Sequence, residues 1–285
     1  MNKGYLFGVL AALCSALLAI FIKLATEVSS EGLVFFRNLI CCIIVIPFLK
    51  VNNLKISRSK FFLYSVRTIG GILSLYCFFY ASKNIPIVDA ILLRNTVPLF
   101  TPLIVLLWLK NFASKNVVFA IVVGFIGVMF VIKPSFDFFH QVGFIGLLAG
   151  FCAALSLVAV SELSKTESTE KIMFCFFLST MIISFFPMYL TWKPVESLIT
   201  WFYVIMVGVV SFLFQYFITK AYTYASVTKV SFMSYLSPVF GGLLSWIIWQ
   251  SYPDYKTILG VFIVIGSSIY LIREKSKKKA EVAGL

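Results

Sequence analysis

Ten long runs of apolar residues, separated by short polar links, occupy almost the whole chain. A helix needs about 20 mostly apolar residues to cross the hydrocarbon core of a bilayer, and each run is close to that length. The pattern therefore predicts ten transmembrane helices, at residues 4–25, 32–50, 61–82, 86–109, 116–133, 142–164, 171–191, 199–223, 228–249 and 257–273.

One segment of this pattern occurs twice. FFYASKNIPIVDAILLRNTVPLFTPL runs from Phe78 to Leu103, and FITKAYTYASVTKVSFMSYLSPVFGGLL runs from Phe217 to Leu244. In both copies an apolar run ends, a very short link follows, and a second apolar run contains a proline, Pro98 in the first copy and Pro238 in the second. An internal repeat in so apolar a chain indicates a transporter built from two halves around a central site.

The first runs of the two halves also match, as LAALCSAL at residues 10–17 and LAGFCAAL at residues 148–155. The two matches predict one unit at residues 4–133 and a second at residues 142–273, followed by a basic tail at residues 274–285. Because each unit has an odd number of spans, the second must be inverted relative to the first. The predicted fold class is an all-α integral membrane protein with ten transmembrane helices arranged as two inverted five-helix repeats.

Composition supports a lipid environment. Hydrophobic residues make up 61% of the chain and charged residues only 12%, against about 25% in soluble domains. The net charge of +13 does not indicate nucleic-acid binding, because the basic residues lie at the ends of the apolar runs. The six cysteines lie inside these runs without the spacing of a metal site, so neither a metal nor a cofactor is predicted.

The basic residues also predict orientation. Fifteen Lys and Arg residues flank the spans on the side of the two termini, and four lie on the other side. Because cytoplasmic loops carry the excess of Lys and Arg, both termini are expected in the cytoplasm, with the spans in a bacterial inner membrane. The first run is longer than the roughly 7–15 apolar residues of a signal peptide, and we interpret it as the first spanning helix.

Four segments resemble the drug/metabolite transporter superfamily, specifically its EamA-type members. They are FFRNLI at 35–40, VRTIGG at 66–71, CFFYASKNIPIVDAILLRNTVPLFTPL at 77–103 and GFIGVMFVIKP at 124–134. The resemblance implies a carrier of small metabolites, a class that includes amino acids, nucleotides, vitamins, S-adenosylmethionine and drugs. The chain departs from the family where members often carry a glutamate, since it reads LLWLKN at 106–111 and WIIWQS at 246–251.

Arg94 is the strongest candidate for a substrate-binding residue. An ionisable group inside a span is costly and normally faces the bundle interior or a wet cavity. Arg94 lies about 12 Å into the fourth run, with Asn95 beside it, and the two predict a site for an anionic or amide-bearing group. The alternative is that Arg94 caps distorted backbone or pairs with Asp89. Helix kinks are predicted at Pro98, Pro102 and Pro238.

Other polar and aromatic residues extend this candidate pocket. Arg37 and Arg67 are shallower in their spans, so each either faces the cavity or extends to the membrane interface. Aromatic walls with a few polar groups are typical of small-molecule pockets, although aromatic residues also fill lipid-facing surfaces. The predicted substrate-binding set is Arg94, Asn95, Tyr76, Tyr80, Tyr216, Lys220, Tyr235, Trp246 and Arg37.

Glu162 is the candidate for coupling to a proton or another ion, because burial would raise the affinity of its carboxylate for a proton. The alternative is a structural ion pair with Lys220. The spacing of Gly4 with Gly8, and of Gly146 with Gly150, is typical of close helix packing, and a homodimer through these glycines is left open.

The function predicted from these features is secondary transport of a small polar metabolite by alternating access between the two repeats. The alternative is a flippase for a lipid or a lipid-linked sugar on the same scaffold. An enzyme is not expected, since the single histidine, His140, is in a polar link and no cluster of carboxylates is apparent. The expected partners are a small-molecule substrate and the lipid bilayer.

Overall fold

The computed structural model describes residues 3–49, 56–84, 87–110, 113–133, 141–250 and 254–282. Within these residues the secondary structure is entirely helical. In this described part of the chain, nine helical segments are long and apolar enough to cross a membrane, and a shorter apolar helix covers Tyr255–Leu271. The multi-pass all-α architecture predicted from the sequence is confirmed.

The helices follow the predicted runs closely. They are α1 (Lys3–Leu24), α2 (Ser30–Val45, continued by the 3-10 turn Ile46–Phe48), α3 (Arg58–Asn84), α4 (Ile87–Arg94), α5 (Val97–Leu109), α6 (Lys115–Ile132), α7 (Gln141–Leu163), α8 (Thr169–Thr191), α9 (Leu198–Tyr224), α10 (Val227–Phe232), the 3-10 turn Met233–Tyr235, α11 (Leu236–Trp249) and α12 (Tyr255–Val282).

Two differences from the prediction concern the ends and the continuity of the helices. The fourth and ninth runs are each divided in two, into α4 and α5 and into α10 and α11. In addition, α12 continues to Val282, so most of the tail predicted at residues 274–285 is helical.

The two halves pack against each other in an inverted arrangement. Helix α3 of the first half packs on α7 of the second, and its counterpart α9 packs on α1 in the equivalent way. Helices α2 and α8 occupy matching places in the two halves and pack on one another, as do α6 and α12. This reciprocal pairing is that of two halves related by a pseudo-two-fold axis in the membrane plane, and it confirms the predicted inverted repeat.

Matching glycines allow the close contacts in this arrangement. A Cβ atom on Gly8 of α1 would lie 3.0 Å from Cγ of Met233, and one on Gly146 of α7 would lie 2.6 Å from Cδ1 of Leu93. Gly4 and Gly150 make comparable contacts inside the bundle. The close-packing interpretation of these glycines is therefore confirmed. A homodimer stays a prediction, but these glycines contact other helices of the same chain and so do not form its contact surface.

Ion pairs connect the halves at both ends of the bundle. At one end, Glu167 accepts hydrogen bonds from Lys60 of the first half and Lys171 of the second, each at 2.7 Å. Burial by itself raises the pKa of Glu167, but these two ammonium groups outweigh it, so the pKa is lowered. At the other end Lys133 lies 2.5 Å from Asp254. Hydrogen bonds from Lys133 and Thr257 hold the pKa of Asp254 at about 2.

Candidate functional site

The fourth transmembrane segment is interrupted deep in the bundle. Helix α4 ends at Arg94 and α5 begins at Val97, leaving Asn95 and Thr96 between them. Pro98 follows at the second position of α5, where a missing N–H costs little because the first turn of a helix leaves these groups unbonded. The interruption therefore lies just before the proline.

The ninth segment is interrupted at the matching place. Helix α10 ends at Phe232 and α11 begins at Leu236, with a 3-10 turn between them. The offset of 140 residues that relates Pro98 to Pro238 also relates Arg94 to Ser234, inside this turn. Both halves thus contain a discontinuous helix, and in transporters such helices expose backbone and side chains to a central site.

The first interruption packs against α7 of the other half. A Cβ on Gly150 would lie 2.8 Å from the carbonyl oxygen of Leu93, so only glycine allows this approach. The hydroxyl of Thr96 donates to that same oxygen at 2.5 Å, and Nδ2 of Asn95 donates to the carbonyl of Ile91 at 2.9 Å. Local side chains therefore satisfy carbonyls near the break, and Asn95 uses its amide nitrogen within its own segment.

Arg94 projects from the end of α4 with an exposed side chain. Its guanidinium carbon lies 4.7 Å from the centroid of the Phe78 ring, a cation–π contact. Within the described residues Arg94 has neither an ion pair nor a side-chain hydrogen bond. The side chain of Asp89, its predicted alternative partner, lies outside the described part of the chain.

Arg67 is the most enclosed cation of the site, with 5% of its surface exposed. Nη1 donates to Oγ of Ser156 on α7 at 2.8 Å, and Nη2 donates to Oε1 of Gln215 on α9 at 2.9 Å. Its guanidinium carbon lies 3.8 Å from the centroid of the Phe176 ring on α8. One arginine of the first half thus contacts three helices of the second.

The alternative that Arg67 extends to the membrane interface is wrong. Helix α3 begins at Arg58, three residues before the predicted start, so Arg67 lies about 13 Å from the helix end. Two glycines that follow it make room for its partners. A Cβ on Gly71 would lie 2.7 Å from Cε2 of Phe176, and one on Gly70 would lie 3.0 Å from the carbonyl of Cys152.

Arg37 completes a group of three arginines. Its side chain on α2 is half-buried, and its Nε is buried with no hydrogen-bond partner among the described residues. Its charge interacts with the charge of Arg67 and with that of Arg94. We call Arg37, Arg67 and Arg94 the arginine cluster. None of the three belongs to an ion pair within the residues that the structure describes.

The predicted aromatic residues are more dispersed. The hydroxyl of Tyr76 on α3 is buried without a partner in the described part of the chain. Tyr235 is fully buried in an apolar cluster with Phe232 and Phe125, where its ring contributes to packing. Tyr80 and Trp246 are exposed, at 51% and 42% of their surface.

Two further predicted residues contact each other near the end of α9. The Nζ of Lys220 lies 5.8 Å from the centroid of the Tyr216 ring, and Tyr216 stacks on Phe212. The structure therefore brings Lys220 and Tyr216 together as a pair. The predicted residues Arg37 and Arg94 belong instead to the arginine cluster.

Glu162 forms an ion pair at the end of α7. Both of its carboxylate oxygens accept from Nζ of Lys165, at 2.6 and 2.7 Å. An ion pair was one of the two alternatives for Glu162, but the predicted partner, Lys220, was wrong. A role of Glu162 in ion coupling stays a prediction.

Sequence reasoning missed the partners of Arg67. Ser156 and Phe176 occur in apolar runs where Ser and Phe are common, and nothing in their local sequence marks them. Gln215 carried a usable signal, because an amide inside an apolar span needs a partner to offset the cost of its burial.

Comparison with known proteins gives consistent results. The model of a family described as the EamA-like transporter family matches the chain twice, at residues 2–133 and 142–273. The pseudopaline exporter CntI of Pseudomonas aeruginosa is 29% identical over 277 residues, which cover 96% of this chain and 98% of the exporter. A solved crystal structure with 20% identity superposes with a TM-score of 0.78 over 94% of this chain and 96% of its own, which shows the fold.

Two other relatives carry different metabolites. The S-adenosylmethionine uptake transporter of Rickettsia bellii is 23% identical over 261 residues, covering 89% of this chain and 87% of that protein. The riboflavin transporter of Brucella anthropi is 25% identical over 283 residues, covering 94% of this chain and 98% of that protein.

Proposed function

We propose that the chain, which belongs to the EamA-like transporter family, moves a small polar metabolite by alternating access between its two inverted halves. Like its family and its relatives, it is a multi-pass membrane transporter of small metabolites, and it is not an enzyme. The relatives carry substrates as different as pseudopaline, S-adenosylmethionine and riboflavin, so the substrate of this chain must be inferred from its own site.

The observation that carries the proposal is the position of the arginine cluster at the junction of the two halves. Arg67 of the first half is hydrogen-bonded to α7 and α9 of the second. The interruption after Arg94 packs on Gly150 of α7. A substrate bound among these residues would contact both halves, and a relative movement of the halves would open the site to one side at a time.

The ion pairs at the two ends of the bundle support alternating access. The Glu167 cluster, formed by Lys60, Glu167 and Lys171, and the Lys133–Asp254 pair each connect one half with the other. We propose that the Glu167 cluster breaks when the carrier opens at its end, and that the Lys133–Asp254 pair breaks when it opens at the opposite end. Small interface rearrangements of this kind accompany rigid-body movement of domains.

The orientation follows from the distribution of basic residues. The larger number of Lys and Arg residues on the side of the termini supports an inner-membrane protein with both termini in the cytoplasm. In that orientation the Glu167 cluster is cytoplasmic. We retain residues 4–133 and 142–273 as the two repeat units, residues 274–285 as the basic cytoplasmic tail, and Glu162 as the candidate for proton coupling.

Transport by purified protein in sealed proteoliposomes tests the function. Radiolabelled amino acids, S-adenosylmethionine, nucleotides and riboflavin serve as probes, with Arg94→Ala as the variant and Arg58→Gln, at the exposed start of α3, as the matched control. We expect saturable uptake of one probe class that Arg94→Ala abolishes and Arg58→Gln retains.

The contradicting outcome is movement of fluorescent phospholipid between the two leaflets with no uptake of any soluble probe. That result would assign the chain to lipid flipping, the alternative function on this scaffold. Uptake that Arg94→Ala leaves unchanged would keep the transport function and remove Arg94 from the site.

A further inference from the structure

We infer that the substrate carries at least two anionic groups, carboxylates or phosphates, which the arginine cluster binds together. This inference rests on the proposed transport function and specifies the substrate class of the same site. Its basis is a concentration of positive charge that the described protein does not neutralise.

Like charges at this depth are costly unless a counter-charge offsets them. The charge of Arg37 interacts with the charges of both Arg67 and Arg94. The acidic side chains in described ion pairs are Glu162, Glu167 and Asp254, all bound to lysines near helix ends. Charges inside a membrane protein normally pair with one another or mark a substrate pathway. We assign the counter-charge of the arginine cluster to the substrate.

The arginines are not required by the fold, because the other half forms the same fold without them. At the offset of 140 residues, which relates Pro98 to Pro238, Arg67 corresponds to Val207 and Arg94 to Ser234. The first spans match at an offset of 138, so the position of Arg37 in the second span falls within the apolar run 175–177, which ends at Phe177. Phe177 and Val207 are buried apolar residues, and Ser234 lies in the interruption between α10 and α11. The cluster therefore gives one face of a symmetric bundle a charge that its counterpart lacks.

The three arginines differ in what they offer a ligand. The Nη1 and Nη2 atoms of Arg67 already donate to Ser156 and Gln215, so this guanidinium is held in place. Arg37 and Arg94 have no hydrogen-bond acceptor among the described side chains. A guanidinium matches a carboxylate or phosphate with two parallel hydrogen bonds. Two such donors can each hold one carboxylate or phosphate, which favours a ligand with two anionic groups, while Arg67 adds positive charge beside them.

A series of small acids of increasing charge tests this inference in detergent solution at constant pH and ionic strength. Butyrate, succinate and propane-1,2,3-tricarboxylate carry one, two and three carboxylates, and inorganic phosphate and pyrophosphate form a second series. Dissociation constants are obtained from the ligand dependence of the melting temperature. We expect succinate to bind at least about tenfold more tightly than butyrate, the factor expected from one charge-assisted hydrogen bond. The series with the steeper rise identifies carboxylate or phosphate as the natural group.

Variants assign the effect to the cluster. Arg37→Gln and Arg94→Gln should each reduce the preference for succinate over butyrate about tenfold, whereas Arg58→Gln should retain it. Size-exclusion chromatography confirms that each variant is folded. If a variant does not fold, the dissociation constants of the wild-type protein for these acids, and their increase with added salt, still test the inference.

Equal binding of butyrate and succinate, or tighter binding of the diamine putrescine, would overturn the inference. So would a succinate preference that survives in both Arg37→Gln and Arg94→Gln. These results are distinguishable from failure of the proposed function. Uptake of a singly charged or neutral metabolite, together with equal binding of butyrate and succinate, would support transport and reject the polyanionic substrate. Tighter binding of succinate than of butyrate, without transport of any probe, would support the anion site and reject the proposed transport function.

Discussion

The guanidinium of Arg67 on α3 donates a 2.9 Å hydrogen bond to the side-chain oxygen of Gln215 on α9, and so connects the two halves of the bundle. The two residues are 148 positions apart in the chain. The bond holds a buried cation with a neutral acceptor. A hydrogen bond to this amide oxygen is weaker than one to a carboxylate would be. In the proposed transport cycle, a contact of this strength can break and form again as the halves move.

Replacing Gln215 tests this balance. Gln215→Leu leaves Nη2 of Arg67 buried without its acceptor and should reduce stability by about 1–3 kcal/mol. Gln215→Glu supplies a charged acceptor, so it should raise the melting temperature and reduce the transport rate. Thermal unfolding in detergent and uptake in proteoliposomes measure the two effects. An unchanged melting temperature in Gln215→Leu would show that the bond contributes nothing to stability.

Gly71 controls how closely α8 approaches α3. A Cβ at this position would lie 2.7 Å from Cε2 of Phe176, the ring under the guanidinium of Arg67. Gly71→Ala should therefore displace Phe176 and reduce stability by about 1–3 kcal/mol. Gly242→Ala on α11 is the matched control, since no heavy atom lies within 4 Å of its Cβ position. Equal melting temperatures for the two variants would contradict the prediction.

The Glu167 cluster should make stability depend on pH. The pKa of Glu167 is lowered in the folded protein, so its carboxylate stabilises the fold above the ordinary pKa of about 4.3. This contribution disappears as the pH falls through the folded value. Glu167→Gln should lower the melting temperature at pH 7, and the difference from wild type should persist down to about pH 4.3 and shrink as the pH falls below that value.

Melting curves between pH 7 and about pH 3 measure that difference. Glu196→Gln, in the exposed link between α8 and α9, is the control and should behave like wild type throughout. A difference between Glu167→Gln and wild type that is constant over this range would show that the charge of Glu167 is not what stabilises the contact.

Cross-linking at the two ends tests alternating access. Cysteine pairs Lys60→Cys with Glu167→Cys, and Lys133→Cys with Asp254→Cys, place thiols where the halves meet. A short bifunctional thiol reagent that is cleaved by reduction should stop uptake in either pair, and reduction should restore it. Single-cysteine variants treated in the same way provide the control. Full uptake with both ends cross-linked would exclude movement of the halves at these points.

The spans and the repeat could be predicted because lipid imposes a length and a hydrophobicity on every crossing segment. The interruption at Asn95 and Thr96 was harder to locate. Pro98 indicated a distortion, but the backbone departs from the helix before the proline, where the hydroxyl of Thr96 and the amide of Asn95 bond to local carbonyls.

The arrangement around Arg67 could not be predicted from the sequence for a different reason. Its hydrogen-bond partners Ser156 and Gln215 are 89 and 148 positions away. The amide of Gln215 indicates that a partner is needed, but the local sequence does not indicate which residue it is. Which polar residues meet depends on the pairing of α3 with α7 and on the contacts that Gly70 and Gly71 allow. These are properties of the packed bundle.

The two interruptions differ in form although their positions match. The first is a break at Asn95 and Thr96, and the second is the compact 3-10 turn Met233–Tyr235. In an inverted duplication, exchanging the conformations of the two halves generates the state that faces the opposite side. Under the proposed alternating access, each half would take the conformation that the other half has in this state: the break at Asn95 would close into a compact turn while the turn at Ser234 would open.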